Sequence, residues 1–306
     1  MNLAERFNRW FERSRPTYGI LTTWILLSFA VALALLPPVF HEGPRAETMA
    51  TMFGWLPEAV VRSPWTTHVC RVVLVASALL WFAGRLLPWS CWLTALSFTM
   101  VWALRMENVA NGAHIFHATT WLLWIHAAWM QFVHREWQAA RQAGRLRETC
   151  LYPRWVFLLS VFALGVFHTW AGLTKIAESG LDWGNGLSLQ LWVYLWGWSH
   201  SPFGYFVLAH RTFAAILQTG AMVIESLSFL TWFGKWPRLI LGVGILGFYT
   251  GVLGTFVDYG FHFNWILVAW LLLPVEAWFR RRESVSREVA GDPGAVQVEA
   301  ALATGS

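Results

Sequence analysis

Long apolar stretches alternate with short polar ones along this chain, and their lengths match the thickness of a membrane. The first apolar stretch covers residues 20–36 and ends at Pro37-Pro38. Seven more follow, at residues 68–83, 89–104, 113–133, 155–173, 205–233, 239–257 and 261–279. Since about 20 residues of α-helix cross the hydrocarbon core of a bilayer, the pattern predicts an all-α, polytopic transmembrane helix bundle of about eight spans.

Three other segments do not fit a span. Residues 3–15 contain four arginines as well as the aromatic residues Phe7, Trp10 and Phe11. This pattern predicts an amphipathic helix that lies on the membrane surface. The helix belongs to an N-terminal segment, residues 1–16. Residues 187–198 are apolar but too short to cross, so we expect an interfacial or re-entrant helix on the outer side. Residues 283–306 are polar and rich in small residues, which predicts a disordered cytoplasmic tail. The transmembrane domain is then residues 17–282.

Clusters of arginine orient the predicted spans. They precede the first span, occupy the loop at residues 134–154, flank a turn at Lys235 and Arg238, and follow the last span at residues 280–282. With the N-terminus inside, eight spans place every one of these clusters on the cytoplasmic face, as the positive-inside rule requires. We therefore expect a protein integral to the plasma (inner) membrane, with both termini in the cytoplasm.

Composition supports this class and excludes others. Of the 306 residues, 57% are hydrophobic and only 13% are charged, which is too apolar for an ordinary soluble domain. The 23 tryptophans and 22 phenylalanines suit membrane interfaces. The net charge of +5 is divided among short clusters, so no nucleic-acid partner is expected. The three cysteines show neither metal spacing nor a disulfide framework, and we interpret them as free thiols.

Polar residues gather at the predicted outer ends of the spans: His68, Arg71, Arg105, Glu107, His114, His117, Lys175, His210, Arg211, Asp258 and His262. Ionisable residues in spans usually face the bundle interior or a wet cavity. The pattern therefore predicts a polar cavity open to the outer face, beneath a lid at residues 178–200. His168 lies one level deeper, on the helical face of Lys175. Glu225 falls inside the sixth predicted span, beyond reach of this group by residue counting, and its role is either structural or part of a proton route.

A metal centre is the alternative explanation for the histidines. His114, His117 and His168 supply three nitrogen ligands, but no cysteine or carboxylate stands at a diagnostic spacing. No metal is therefore expected.

Lys175 stands out because the chain has only one other lysine, Lys235, among its 22 basic residues. Arginine stays charged at any accessible pH, whereas a desolvated lysine amine can become neutral. Lys175 is thus a candidate base at the end of an apolar helix. The alternative is a lysine that snorkels to the membrane surface.

A family resemblance begins at this lysine. Residues 168–186, HTWAGLTKIAESGLDWGNG, resemble the signature of the horizontally transferred transmembrane (HTTM) domain, the membrane half of the vitamin K-dependent gamma-carboxylases. That signature is an Ala-Gly pair, a lysine three residues past the glycine, and an acidic-Trp-x-x-Gly turn. Here these are Ala171-Gly172, Lys175 and residues 182–186. Residues 106–117, MENVANGAHIFH, are similar to the family's Asn-rich helix entry, and the order of spans over residues 14–274 agrees.

The resemblance implies a chemistry and a set of site residues. In the family, the lysine is a free amine that deprotonates vitamin K hydroquinone. Oxygen adds, the resulting strong base removes a proton from a substrate glutamate, and carbon dioxide traps the carbanion. By this resemblance Lys175 and His114 are the catalytic candidates, with vitamin K or menaquinone hydroquinone as cofactor. The candidates for cofactor binding are His117, His168, Trp170, Trp183, Arg211, Asp258 and His262.

The chain also departs from the family. The carboxylases continue into a large extracytoplasmic domain, which is expected to be lacking here, and the polar run near the seventh span differs in FYTGVLGTFVDYGFHFNW. Two interpretations stay open. The first is a carboxylase- or epoxidase-like enzyme (a lyase or ligase) acting on a quinone and an unknown protein or small-molecule substrate. The second is a non-catalytic membrane module that binds lipid, quinone or a partner protein, with Lys175 as an anchor.

Overall fold

The computed structural model describes residues 16–37, 57–108, 116–145, 152–197, 201–255 and 261–275. The amphipathic helix predicted at residues 3–15 and the tail at residues 283–306 lie outside these ranges. All secondary structure within them is helical, without a β-strand, and the predicted all-α class is confirmed for this part of the chain.

The described residues form eleven α-helices and two 3-10 segments. The helices are α1 (Pro16–Leu35), α2 (Glu58–Val61), α3 (Pro64–Phe82), α4 (Trp89–Asn108), α5 (His117–Gln142), α6 (Arg154–Ser179), α7 (Leu187–Trp196), α8 (Pro202–Ala209), α9 (Arg211–Ser226), α10 (Lys235–Thr255) and α11 (Phe261–Leu271). The 3-10 segments are Gly180–Asn185, which follows α6, and Ser228–Phe233, which follows α9. Proline opens α3 and α8 at the first helical turn, where its missing N–H costs no hydrogen bond.

Three of these helices are long and apolar enough to cross a membrane: Tyr18–Leu35, Pro64–Phe82 and Arg154–Asn185. The pair α8 and α9 passes the same test only when joined, which raises the number to four within the described residues. These helices support a membrane-embedded protein. They are fewer than the eight spans that the apolar pattern predicts.

The sixth predicted span, at residues 205–233, is wrong as a single helix. Helices α8 and α9 meet at an angle of 104°. The break is at His210, whose backbone is not helical (φ −126°, ψ 87°). The His210 backbone N–H donates to the Phe206 carbonyl oxygen at 3.1 Å. Its Nδ1 lies 3.0 Å from the same oxygen, and its ring stacks on that of Phe206. Helix α9 therefore starts afresh at Arg211.

Aromatic contacts close the bundle between its first and last described helices. The Tyr18 ring stacks on that of Trp270, with 4.9 Å between centroids. The Tyr18 hydroxyl donates to the Trp270 carbonyl oxygen at 2.8 Å, and the Trp270 indole N–H donates to Thr22 at 2.8 Å. Since aromatic pairs with satisfied polar atoms pack tightly, α1 and α11 are held side by side.

Candidate functional site

A partly buried ion pair joins α6 to α9. The ammonium group of Lys175, near the end of α6, donates to the Glu225 carboxylate on α9. The Lys175 side chain is 23% exposed and that of Glu225 only 5%. The prediction that Glu225 lies beyond reach of the lysine is therefore wrong. It assumed a continuous helix over residues 205–233, whereas the bend at His210 brings the end of α9 to the level of Lys175.

Two glycines on α6 allow this pairing, because they let the backbones touch. A Cβ at Gly172 would lie 2.5 Å from the Ser226 amide nitrogen. Seven residues earlier, a Cβ at Gly165 would lie 2.7 Å from the Ser228 carbonyl oxygen. Residues seven apart share a helix face, and small residues at such positions permit close helix packing in membranes. The Ala-Gly pair of the sequence signature thus contains a contact point between α6 and α9.

The turn after α6 is also held against α9, by hydrogen bonds and a close backbone contact. Gly186 has φ +85°, and a Cβ there would lie 2.7 Å from the Ala215 amide nitrogen. Its own N–H donates to the Gln218 side-chain oxygen at 3.1 Å. The Thr219 hydroxyl donates to the Gly184 carbonyl oxygen at 3.2 Å. These contacts hold the residues that directly follow Trp183.

The fixed turn places an aromatic ring against the lysine. The Lys175 Nζ lies 4.9 Å from the centroid of the Trp183 ring and 5.7 Å from that of Phe248 on α10. Both distances are within the range of cation–π attraction. The amine is therefore surrounded by a carboxylate and two aromatic rings, a mixed environment rather than the purely apolar one expected from the sequence.

A second polar pair lies two turns earlier on α6. The His168 Nδ1 is 2.7 Å from the Leu164 carbonyl oxygen, and its Nε2 is 2.8 Å from the Tyr249 hydroxyl on α10. Asn264 on α11 bonds the same hydroxyl. All three side chains are buried. On α10, Tyr249 directly follows Phe248, the residue whose ring lies near Lys175. The two pairs are therefore neighbours, and we refer to them together as the polar network of α6, α9, α10 and α11.

We expect Tyr249→Phe to destabilise the protein by about 1–3 kcal/mol, since it leaves a buried His168 nitrogen without its partner. Unfolding in detergent, followed by circular dichroism, measures the change. Tyr205→Phe is the matched control, because Tyr205 is 69% exposed. Equal stability of the two variants would contradict the role given to the hydroxyl.

The other predicted site residues fall in different places. His117 begins α5 and packs against Trp102 at 4.4 Å and Phe167 at 6.1 Å between centroids. Trp170 is 74% exposed and stays outside the network. Arg211 is exposed at the start of α9, with its Nε 3.5 Å from the Asn185 carbonyl oxygen. His114, Asp258 and the side chain of His262 lie outside the described residues.

Two arginines of the predicted outer group serve another purpose. Arg71 on α3 donates to the carbonyl oxygens of Ala34 and Leu36 at 2.5 and 2.6 Å. Arg105 on α4 donates to the Pro37 carbonyl oxygen at 2.9 Å. Cations at a helix C-terminus satisfy its free carbonyls and its dipole. These arginines therefore cap α1, and they make no bond to Lys175 or Glu225.

Sequence reasoning missed four members of the network. Glu225 was separated from Lys175 by the assumption of a straight helix, and Phe248, Tyr249 and Asn264 carry no motif that links them to α6. The arrangement places a proton donor, the Lys175 ammonium, in direct contact with an acceptor, the Glu225 carboxylate. In the described ranges, no three His, Cys, Asp or Glu side chains are placed to hold a metal ion. Comparison with protein-family models, curated proteins and solved structures returned no match to this chain.

Proposed function

We propose that this protein is an integral-membrane enzyme of the vitamin K-dependent carboxylase type, in which Lys175 acts as a base toward a naphthohydroquinone. Oxidation of the hydroquinone by oxygen is coupled to carboxylation or to another proton abstraction. The observation that carries the proposal is the position of the Lys175 amine, within cation–π distance of the rings of Trp183 and Phe248 and paired with Glu225. The resemblance of residues 168–186 to the HTTM signature supports it.

The residues around the amine fit a planar aromatic cofactor. Trp183 and Phe248 offer ring faces or edges for stacking, and the 23% exposure of Lys175 leaves its side chain accessible. When bound, a hydroquinone supplies an acidic hydroxyl group and the two electrons that reduce oxygen. Trp183 and Phe248 would hold the cofactor, and Lys175 would meet its hydroxyl group.

Glu225 lets Lys175 act as a base without water. An ammonium cannot accept a proton, so the lysine must first lose one. Transfer of that proton from Nζ to the Glu225 carboxylate leaves a neutral amine and a neutral carboxylic acid. Neutral groups avoid the cost of burying separated charges, and the proton remains inside the bundle. The amine then accepts the hydroxyl proton, and the hydroxyl's bonding electrons stay on its oxygen.

The proposed membrane arrangement follows the arginine clusters. With the N-terminus and the arginine-rich loop at residues 134–154 in the cytoplasm, the Lys175 end of α6 lies toward the outer face. The 3-10 segment Gly180–Asn185 and helix α7 then form the lid near the amine. The acceptor of the chemistry is a protein or small molecule that approaches from that side.

Oxygen uptake by the purified protein with reduced menaquinone or vitamin K tests the proposal. We expect Lys175→Ala and Lys175→Arg to lose at least about a hundredfold in turnover, the usual contribution of a general base, because arginine does not release its proton at neutral pH. Lys235→Ala is the matched control, since Lys235 is the only other lysine and is exposed at the start of α10. A wild-type protein without quinol turnover, or a fully active Lys175→Arg, would refute the proposal.

A second candidate function is a non-catalytic membrane module that binds lipid, quinone or a partner protein. The observation that favours it is the ion pair itself, which joins α6 to α9 directly beside the Gly172 contact. In that case Lys175 only stabilises the packing of α6 against α9. Lys175→Arg distinguishes the two functions, because arginine retains a pairing charge but not a base.

A further inference from the structure

A cavity of about 220 Å³ lies between α1, α3 and α5. Four aromatic rings line it, those of Trp24, Trp81, Phe82 and Trp137, together with the guanidinium of Arg141. Trp24 belongs to the first half of α1, while the others belong to the last turns of α3 and α5. Since successive spanning helices run in opposite directions, this end of the bundle is the one opposite to Lys175.

Two polar groups of residues that line this cavity are hydrogen-bond donors without an acceptor. Trp81 and Trp137 are 2% and 6% exposed, and the indole N–H of each is buried without a hydrogen-bond partner. An unsatisfied buried donor costs about 1–3 kcal/mol of folding free energy. Two such donors beside one cavity are therefore unusual in a folded protein. An acceptor that enters the cavity removes this cost.

Arg141 adds a positive charge to the same wall. One of its terminal nitrogens donates to the Phe82 carbonyl oxygen at 2.9 Å, which leaves its other N–H groups for a ligand. None of the residues that line the cavity in the described part of the chain is acidic. A site with a guanidinium, two free indole N–H groups and no carboxylate favours an anion with several acceptor oxygens.

The volume of the cavity and the exposure of its rim further restrict the kind of ligand that it can bind. Pockets that hold a whole drug-sized molecule measure about 300–1,000 Å³, so 220 Å³ suits a charged group rather than a complete lipid or quinone. Trp24 and Phe82 are 39% and 48% exposed on the outer surface of the bundle. A ligand can therefore place its head in the cavity and its apolar tail along that surface.

We propose that this cavity binds a phosphate anion, supplied by the headgroup of an anionic phospholipid, at the end of the bundle opposite to Lys175. Arg141 pairs with the phosphate charge, and the indole N–H groups of Trp81 and Trp137 donate to its oxygens. The arginine clusters predict that this end faces the cytoplasm, where basic pockets between helices bind anionic headgroups. The site is independent of the function proposed for Lys175.

Native mass spectrometry of the detergent-purified protein tests this site, with phosphatidylglycerol as the probe. We expect Arg141→Gln to weaken phosphatidylglycerol binding by about tenfold or more, the loss of one charge-assisted hydrogen bond. Trp137→Phe keeps an aromatic ring but removes the N–H, and we expect it to weaken binding by several fold. Arg135→Gln is the matched control, because Arg135 is exposed on the same helix and does not line the cavity.

Two other probes separate the sources of phosphate. Phosphatidylcholine is expected to bind more weakly than phosphatidylglycerol, since its headgroup carries no net charge. Inorganic phosphate is expected to displace the lipid only in large excess, and displacement at equal concentration would overturn the lipid as the source. Binding of phosphatidylglycerol that is unchanged in both Arg141→Gln and Trp137→Phe, or equally reduced in Arg135→Gln, would overturn the site. Thermal unfolding of each variant verifies that it is folded, and Trp137→Phe provides the test if Arg141→Gln is not.

Discussion

Replacement of Lys175 by methionine is expected to lower the free energy of unfolding by about 3 kcal/mol. The substitution leaves the Glu225 carboxylate, 5% exposed, without its counter-charge. Breaking a buried ion pair from one side costs about 3–5 kcal/mol, and we expect the lower end of that range because Lys175 is 23% exposed. Denaturation in mixed detergent micelles, followed by circular dichroism, gives the free energy of unfolding.

The double variant Lys175→Met with Glu225→Gln shows whether the loss comes from the pair. Removal of the second charge removes the unpaired carboxylate, so more than half of the lost stability is expected to return. If the two substitutions were simply additive, Lys175 and Glu225 would not interact in the folded protein. Lys235→Met, at the exposed lysine, is expected to change stability by less than about 0.5 kcal/mol.

Gly172→Ala is expected to destabilise the protein by about 1 kcal/mol. The new methyl group would lie 2.5 Å from the Ser226 amide nitrogen, and backbone cannot rotate aside as a side chain can. Overpacking costs about 1–3 kcal/mol, which exceeds the gain of up to about 1 kcal/mol from replacing glycine by alanine in a helix. The separation of α6 from α9 also weakens the Lys175–Glu225 pair, so quinol turnover is expected to fall with stability.

Gly220→Ala is the matched control for this substitution. Gly220 lies inside α9, and a Cβ there would meet no atom within 4 Å. We expect this variant to be as stable as the wild type or slightly more stable, because helix propensity acts alone. If Gly172→Ala behaved in the same way, the close contact between α6 and α9 would be wrong.

The helical class and several helix positions could be read from the sequence because they depend on local patterns. The apolar run that ends at Pro37 became α1, and the run at residues 155–173 lies inside α6, since apolar composition and proline act over a few residues. Helix α5 is an exception in part. It continues to Gln142, beyond the predicted end at residue 133, because residues 134–142 are good helix formers that need no membrane.

The partner of Lys175 could not be predicted for a different reason. It depends on the break at His210, where the backbone leaves helical geometry. The polar residues His210, Arg211 and Thr212 interrupt the apolar stretch there, but a polar interruption alone does not give the 104° angle between α8 and α9. The cavity beside Trp81, Trp137 and Arg141 is equally hidden from the sequence. Its walls come from three helices that are far apart along the chain, and no spacing rule links them.

The most direct test of the central claim measures stability and turnover together in Lys175→Arg. Arginine can still pair with Glu225, so we expect the free energy of unfolding to stay within about 1 kcal/mol of the wild type. Oxygen-dependent oxidation of reduced menaquinone is expected to fall to background in the same sample, because the guanidinium cannot accept a proton. A stable Lys175→Arg that turned over quinol as the wild type does would contradict the account and leave Lys175 a purely structural residue.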